Sequence, residues 1–230
     1  MPPTLLLDLD GVLKGPDVSW VQAELLTIDF RADVSRVREA HYRGIARFDA
    51  SEMTPARDAF AYEYPNGFLD CLQVPEGLRR HARAVLFHGS AVARNHLYPS
   101  SLATVTMFAA KGVSIVVVTN NSVPGAREWL AAEGLTDQTR GGPLTDVVES
   151  AVLGVAKPDP RIIFEALRAA GENNPASAVF VGDSLRIDGQ AAERAGVRFV
   201  HFDPPGICQF SGHYHVRDLD DGGLGDMLRV

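Results

Sequence analysis

Thr4-Leu5-Leu6-Leu7-Asp8-Leu9-Asp10-Gly11-Val12 starts as a short apolar strand and breaks at two carboxylates and a glycine. A buried strand that ends on an acid delivers that acid to the carboxyl edge of its sheet, where open α/β folds gather their ligands. Three more segments carry polar residues at such a position. Thr119-Asn120-Asn121-Ser122 follows the apolar run Ile115 to Val118. Gly182-Asp183-Ser184, with Asp188 beyond it, follows Val179 to Val181, and Lys157-Pro158-Asp159-Pro160 is the last of the set. Brought to one edge, two carboxylate pairs, a hydroxyl and a lysine suit phosphoryl transfer through an aspartate nucleophile and a divalent metal.

The pattern between these segments is α/β. Thr4 to Leu9 reads as strand one. From Lys14 to about Asn95 the periodicity is helical, with candidates at Val18 to Ile28, Val34 to Phe48, Thr54-Pro55 through Tyr62, and Leu78 to Phe87. Strand–helix alternation then resumes. Ser100 or Ser101 caps a helix to Lys111, Val113 to Val118 is a buried strand, and Ser122 caps a helix through Glu133. Val147-Val148 is a short strand, and Asp159 and Pro160 open a helix to Ala170. Val179 to Val181, a helix from Ile187 to Ala195 and a strand from Val197 to Phe202 complete the order. The expected fold is a Rossmann-like parallel sheet core with an inserted helical cap. Residues 1–13 and 96–230 make the core and 14–95 the cap, with hinges at Lys14-Gly15-Pro16 and Leu97-Tyr98-Pro99.

Composition removes several function classes. The chain has 230 residues, a hydrophobic content of 46% and a net charge of −7, without a basic stripe, so no nucleic acid partner is expected. Leu5 to Leu7 is too short for a signal peptide or a membrane span, and Cys71 and Cys208 form no framework. A cytoplasmic protein with no membrane partner is the expectation. Lysine is scarce: Lys14, Lys111 and Lys157 are the three.

Asp8 and Asp10 share a face of an extended segment, and Gly11 permits a sharp exit. Two neighbouring carboxylates repel unless a cation or a proton sits between them. A Mg²⁺ ion would neutralise Asp8 and an incoming phosphate, while Asp10 could exchange a proton with a leaving oxygen and with water. Taken alone, the segment reads equally as a turn with two solvated acids. Thr119 and its neighbouring N–H groups could hold phosphate oxygens, or merely cap a helix. Lys157 projects from a loop stiffened by the following proline and offers a point charge, though most lysines are solvated. Asp183 is placed to bind a metal, and Asp188 either orients it or caps a helix.

Together the segments Asp8-Leu9-Asp10-Gly11-Val12, Val118-Thr119-Asn120-Asn121, Ala156-Lys157-Pro158-Asp159-Pro160 and Val181-Gly182-Asp183-Ser184-Leu185-Arg186-Ile187-Asp188 resemble the haloacid dehalogenase-like hydrolase superfamily, in the subfamily with a helical cap after strand one. The resemblance implies Asp8 as a nucleophile forming an aspartyl-phosphate and Asp10 as general acid/base. It implies Mg²⁺ held by Asp8, Asp183 and the Asp10 backbone carbonyl. Thr119 and Lys157 would hold the phosphoryl group, with Asn120 nearby. Val12 stands where threonine is common.

Asp10 disfavours carbon–halogen cleavage, because dehalogenases of the superfamily lack that second acid. A cap without a lysine beyond Lys14 disfavours the Schiff-base route of phosphonate-cleaving relatives. Arg43-Gly44-Ile45-Ala46-Arg47 resembles the basic–glycine–basic segment of β-phosphoglucomutases, which makes Arg43 and Arg47 substrate-binding candidates. A surface helix with solvated arginines is the favoured alternative. A silent relative that only binds phosphorylated ligands would often lack the nucleophile, the acid or the lysine, and all are present here. The expected activity is therefore hydrolysis of a small phosphorylated metabolite, with a sugar-phosphate mutase as the alternative and with the substrate and the oligomeric state left open. His213-Tyr214-His215 puts two imidazoles on one strand face, but two ligands are too few for a metal, and the segment reads as an edge strand.

Overall fold

Leu5, Leu6 and Leu7 are all fully buried, which requires a strand covered on both faces. The computed structural model describes residues 3–87 and 95–229; positions 1–2 and 230 of the expected core and 88–94 of the expected cap lie outside them. By its internal packing the chain divides into two units. One comprises Met1–Leu13, Leu97–Pro204 and Phe210–Val230, the other Lys14–His96 and Pro205–Gln209.

In the first unit a six-stranded sheet is built from β1 (Thr4–Leu7), β4 (Ser114–Thr119), β5 (Asp146–Glu149), β6 (Ala178–Gly182), β7 (Arg198–Phe202) and β8 (Tyr214–Val216). Its order is β5-β4-β1-β6-β7-β8, and all its pairings are parallel. The chain leaves β1 to build one side through β4 and β5, then returns to build the other through β6 and β7. The order therefore reverses beside β1, and the ends of β1, β4 and β6 flank the crevice that such a switch point leaves. Register fixes the level of that edge: Leu7 pairs with Val117 on one side and Val181 on the other.

One face of the sheet is sealed by α8 (Arg161–Ala170) and α9 (Gln190–Ala195). Ile162, Ile163, Ala166 and Leu167 of α8 pack with Leu6, Val116, Val118 and Phe180. Each large side chain so buried contributes about 1.5–3 kcal/mol. Several boundaries shift from the sequence reading. The helix expected from Ser122 is α6, Ala126–Ala132, and starts later because the intervening loop is held by side-chain bonds. The helix expected from Ile187 begins with a wide turn, Leu185–Gly189, in which Gly189 N donates to Ser184 O five residues back.

The second unit contains α1 (Val18–Leu26), α2 (Val34–Asp49), α3 (Ala56–Cys71) and α4 (Glu76–Phe87). Lys14–Pro16, β2, pairs with Asn95–Leu97, β3, so the whole of the first stretch expected as a hinge, and Leu97 of the second, is strand. Val21, Leu25, Val37, Phe68, Leu69 and Leu86 form the apolar centre, with Trp20 against it. Tyr64 joins this packing and stacks on Phe60 at 4.9 Å, whereas Tyr62 is exposed rather than packed. The sequence reading ended α3 at Tyr62, before Pro65, yet the helix runs through that proline. Pro65 has no N–H to give the Ala61 carbonyl; the Arg83 guanidinium donates to it instead, at 2.5 Å.

Gly44 of α2 and Gly67 of α3 meet where these helices cross. A Cβ on Gly67 would lie 2.7 Å from the Arg43 carbonyl oxygen and 2.9 Å from Gly44 Cα. Both neighbours are backbone, so no rotamer change relieves the clash. Gly67→Ala gains about 1 kcal/mol of helix propensity but overpacks a rigid contact at a cost of about 1–3 kcal/mol. The expected result is a net loss of stability, read as a lower urea midpoint with unchanged slope; a midpoint at or above wild type would contradict this crossing geometry.

Candidate active site

The carboxyl ends of β1 and β6 carry three buried carboxylates, on Asp8, Asp183 and Asp188, with oxygens within 4.8 Å of one another. The Asp8 N–H donates to Val181 O at 2.9 Å, which continues the sheet one residue past β1 and fixes where that acid leaves it. Its Oδ1 accepts from Leu9 N at 2.7 Å. Gly11, at φ 81°, then turns the chain away, and Asp10 is half-buried between them.

Lys157 enters this acidic cluster. Its Nζ lies 2.6 Å from Asp8 Oδ1, 2.7 Å from Asp188 Oδ1 and 2.9 Å from Val118 O, and the residue is only 4% exposed. Burial works to deprotonate the amine, but Asp188 and Asp8 outweigh it and push its pKa up, so it remains an ammonium. Burial, then the Asp188 charge, drives the Asp8 carboxyl well above its ordinary value, against the pull of Lys157. Asp188 is raised too, chiefly by burial, with Lys157 opposing and Asp183 adding to the rise.

These acids fit a divalent cation. Three buried carboxylates crowd together, two of them on the Lys157 ammonium, and protons or a metal would ease their mutual repulsion. Among the described residues, Asp188 Oδ1 has no well-formed hydrogen bond and meets the Lys157 charge alone. An all-oxygen carboxylate set is the donor chemistry of Mg²⁺.

The structure sorts the other sequence candidates. Thr119 is buried at the end of β4, on the same sheet edge as Asp8. Asn120, expected near the phosphoryl group, also supports Lys157. Its Nδ2 donates to Lys157 O and its Oδ1 accepts from Lys157 N, both at 2.9 Å, so the carboxamide clamps the lysine backbone. Asp188 lies inside the cluster as an ion-pair partner of Lys157, beyond the orienting or capping role read from the sequence. Arg43 and Arg47 belong to the helical unit and are paired there. Arg47 holds Glu63 at 2.6 Å and Asp70 at 2.5 Å, and Arg43 faces Glu39 at 3.6 Å one turn away. Acids on α2 and α3 thus pair both guanidiniums within the helical unit.

Two supporting residues escaped sequence reading. A Cβ on Gly182 would sit 2.4 Å from the Asp188 Cβ, so only glycine lets Asp188 fold back against β6. Glu149, at the end of β5, accepts from the N–H groups of Gly125, Ala126 and Arg127 and from Asn121 Nδ2. Burial acts to raise its pKa, but these donors prevail and hold it below the ordinary range. Glu149 thereby fixes the loop that follows Thr119. The sequence offered a glycine after a strand and a lone glutamate, neither of which announces a partner.

A doubly wound α/β unit with a lysine-bridged carboxylate cluster at its switch point defines the class of protein. A family profile described as haloacid dehalogenase-like hydrolase matches residues 2–196. The chain belongs to that family, as its four motifs led one to expect. It is 31% identical to a phosphoglycolate phosphatase from Rhodospirillum rubrum over 87% of this chain and 79% of that protein. It is 34% identical to a phosphoserine phosphatase from Thermus thermophilus over 59% of this chain; there the match spans only about half, 53%, of the relative's length. A HAD phosphatase from Thermococcus onnurineus shares the fold, at TM-score 0.56 and 20% identity over 99% of this chain and 98% of that one. Among the described residues no helix is long and apolar enough to cross a membrane.

Lys157→Met removes the ammonium that bridges Asp8 and Asp188 while keeping its volume. Stripping one partner from a buried ion pair costs about 3–5 kcal/mol, and that loss is expected in urea denaturation at neutral pH without divalent metal. The deficit should narrow in weak acid, because the raised Asp8 and Asp188 carboxyls then take up protons. A variant as stable as wild type at neutral pH would show that the bridge does not hold the cluster.

Proposed function

We propose that this chain is a Mg²⁺-dependent phosphomonoester hydrolase that acts on a small phosphorylated metabolite through an aspartyl-phosphate. The observation that carries the reading is the Lys157 ammonium bonded to Asp8 inside the carboxylate cluster. The Lys157 ammonium opposes the burial and the Asp188 charge that favour a protonated Asp8, and a bound cation would add to that pull and favour the carboxylate that attacks phosphorus. Asp8 attacks, Lys157 and Thr119 hold the phosphoryl oxygens, and Asp10 protonates the leaving oxygen and later takes a proton from water. Asp8, Asp183 and the Asp10 carbonyl would hold the ion, which when bound offsets the negative charge of acids and phosphate. The helical unit, residues 14–95 in this reading, acts as the cap that selects substrate. Phosphoglycolate, the substrate in the name of the Rhodospirillum relative, heads the compounds to screen.

Phosphate release from p-nitrophenyl phosphate with Mg²⁺ tests the chemistry. Asp8→Asn is expected to abolish it with the fold intact. Asp10→Asn should lower kcat by at least about 100-fold while Mg²⁺ affinity changes little, since the proposed ligand there is a backbone carbonyl. Wild type indistinguishable from Asp8→Asn would remove the proposal, and equal losses of turnover and metal affinity in Asp10→Asn would remove the division of roles.

Metal dependence also has a stability signature. Because Asp8 and Asp188 are raised, the folded protein binds their protons more tightly than the unfolded chain does. Metal-free protein should therefore gain stability as pH falls from neutral toward the unfolded carboxyl value, the reverse of the common case for acids. Mg²⁺ should raise Tm at neutral pH and lose that effect in acid. A metal-free Tm that falls steadily from neutral pH into weak acid, or is indifferent to Mg²⁺, would count against the ion.

A further inference from the structure

Beside the carboxylate cluster, three imidazoles converge on the next two strands. His201 of β7 and His215 of β8 are register partners on parallel neighbours, so their side chains share a face. His213 lies in the bend just before β8, and its ring meets the other two. The ring centroids are 5.2 Å apart for His201 and His215, 5.3 Å for His201 and His213, and 4.3 Å for His213 and His215. Ring nitrogens of all three lie within 4.8 Å of one another.

The hydrogen bonding fixes which nitrogen points inward. His201 Nε2 is 2.9 Å from the Asp183 backbone carbonyl, which can only accept. The proton therefore sits on Nε2, and the lone pair of Nδ1 is directed at His213 Nε2, 3.3 Å away. Two nitrogens bound to one tetrahedral zinc at about 2.0–2.1 Å are themselves about 3.3 Å apart. His215 Nδ1 lies 3.9 Å from Asp203 Oδ2, so a buried carboxylate stands near the third ring. A carbonyl or carboxylate behind an imidazole is the arrangement that orients histidine ligands on metals. Burial, then the neighbouring His215 and His201, keeps His213 below the ordinary imidazole range, toward the neutral form.

We propose that His201, His213 and His215 form a second metal site, suited to a borderline transition ion such as Zn²⁺ and distinct from the carboxylate cluster. Three imidazoles without a carboxylate among them are poor ligands for Mg²⁺ and good ones for zinc. Cys208 falls between His201 and His213 in the sequence; the proposal rests on the three rings. The role is positional: a metal on His201 Nδ1 locks the ring whose other nitrogen holds the Asp183 backbone.

Co²⁺ reports such a site directly, because four-coordinate Co²⁺ absorbs strongly in the visible and six-coordinate Co²⁺ on oxygen ligands does so weakly. Chelator-treated full-length protein is titrated with Co²⁺ in excess Mg²⁺, beside a His213→Ala/His215→Ala variant checked for fold by circular dichroism. Wild type is expected to bind one more equivalent than the variant, with an intense visible band that Zn²⁺ bleaches. Each single substitution should weaken Co²⁺ binding by about 100-fold or more. Should the double variant fail to fold, His215→Ala alone carries the comparison, since that residue is the most exposed of the three. Equal stoichiometry in wild type and variants, or a wild type without the strong band, would overturn the site and leave the proposed phosphatase chemistry untouched.

Discussion

The buried ammonium of Lys157 is the constraint around which the site is arranged. It joins Asp8, at the end of the first strand, to a loop 149 residues later, and it touches Asp188 and the Val118 carbonyl in the same step. A charge so placed cannot stay without partners. That demand explains otherwise unrelated details. The Asn120 carboxamide grips the lysine backbone from both sides. Gly182 lacks a side chain, so Asp188 can reach inward. The ring of Phe180, 5.4 Å away, offers its face to the cation from the sheet below.

The fold was largely legible because its signals are local. Leu5 to Leu7, Ile115 to Val118 and Val179 to Val181 are apolar runs too short for helices and ended by polar residues, and each is a central strand. The ends of helices were less legible because tertiary bonds set them. Ser122 looks like a cap, yet Glu149, from another strand, holds the N–H groups of Gly125 to Arg127 and so decides where α6 begins. Pro65 looks like a terminator, but Arg83, from the next helix, satisfies the carbonyl that the proline strands.

The site shows the same division between local and distant causes. Asp8, Lys157 and Asp183 could be picked out because strand ends and a lysine-poor composition draw attention to them. Arg43 and Arg47 read from sequence as anion ligands or as solvated arginines, because sequence shows the charge of a residue and hides its partners. Glu39, Glu63 and Asp70 are those partners, and two of them come from another helix. The imidazole group was half visible: the alternation in His213-Tyr214-His215 was plain, but the third ring arrives only through the pairing of β7 with β8.

The same sheet edge thus presents two sets of donors of different chemistry, a strand apart. Carboxylates sit at the switch point, where desolvation and mutual repulsion make the empty cluster costly and a hard cation welcome. Imidazoles sit further along, one hydrogen bond from Asp183 through His201. The strain of the acidic cluster, several kcal/mol by the usual penalty for buried charge, rests on strands whose large apolar side chains contribute about 1.5–3 kcal/mol each. Such a division of labour has a physical rationale. The apolar runs that make the strands recognisable also supply the stability against which unbalanced acids can be held at their ends.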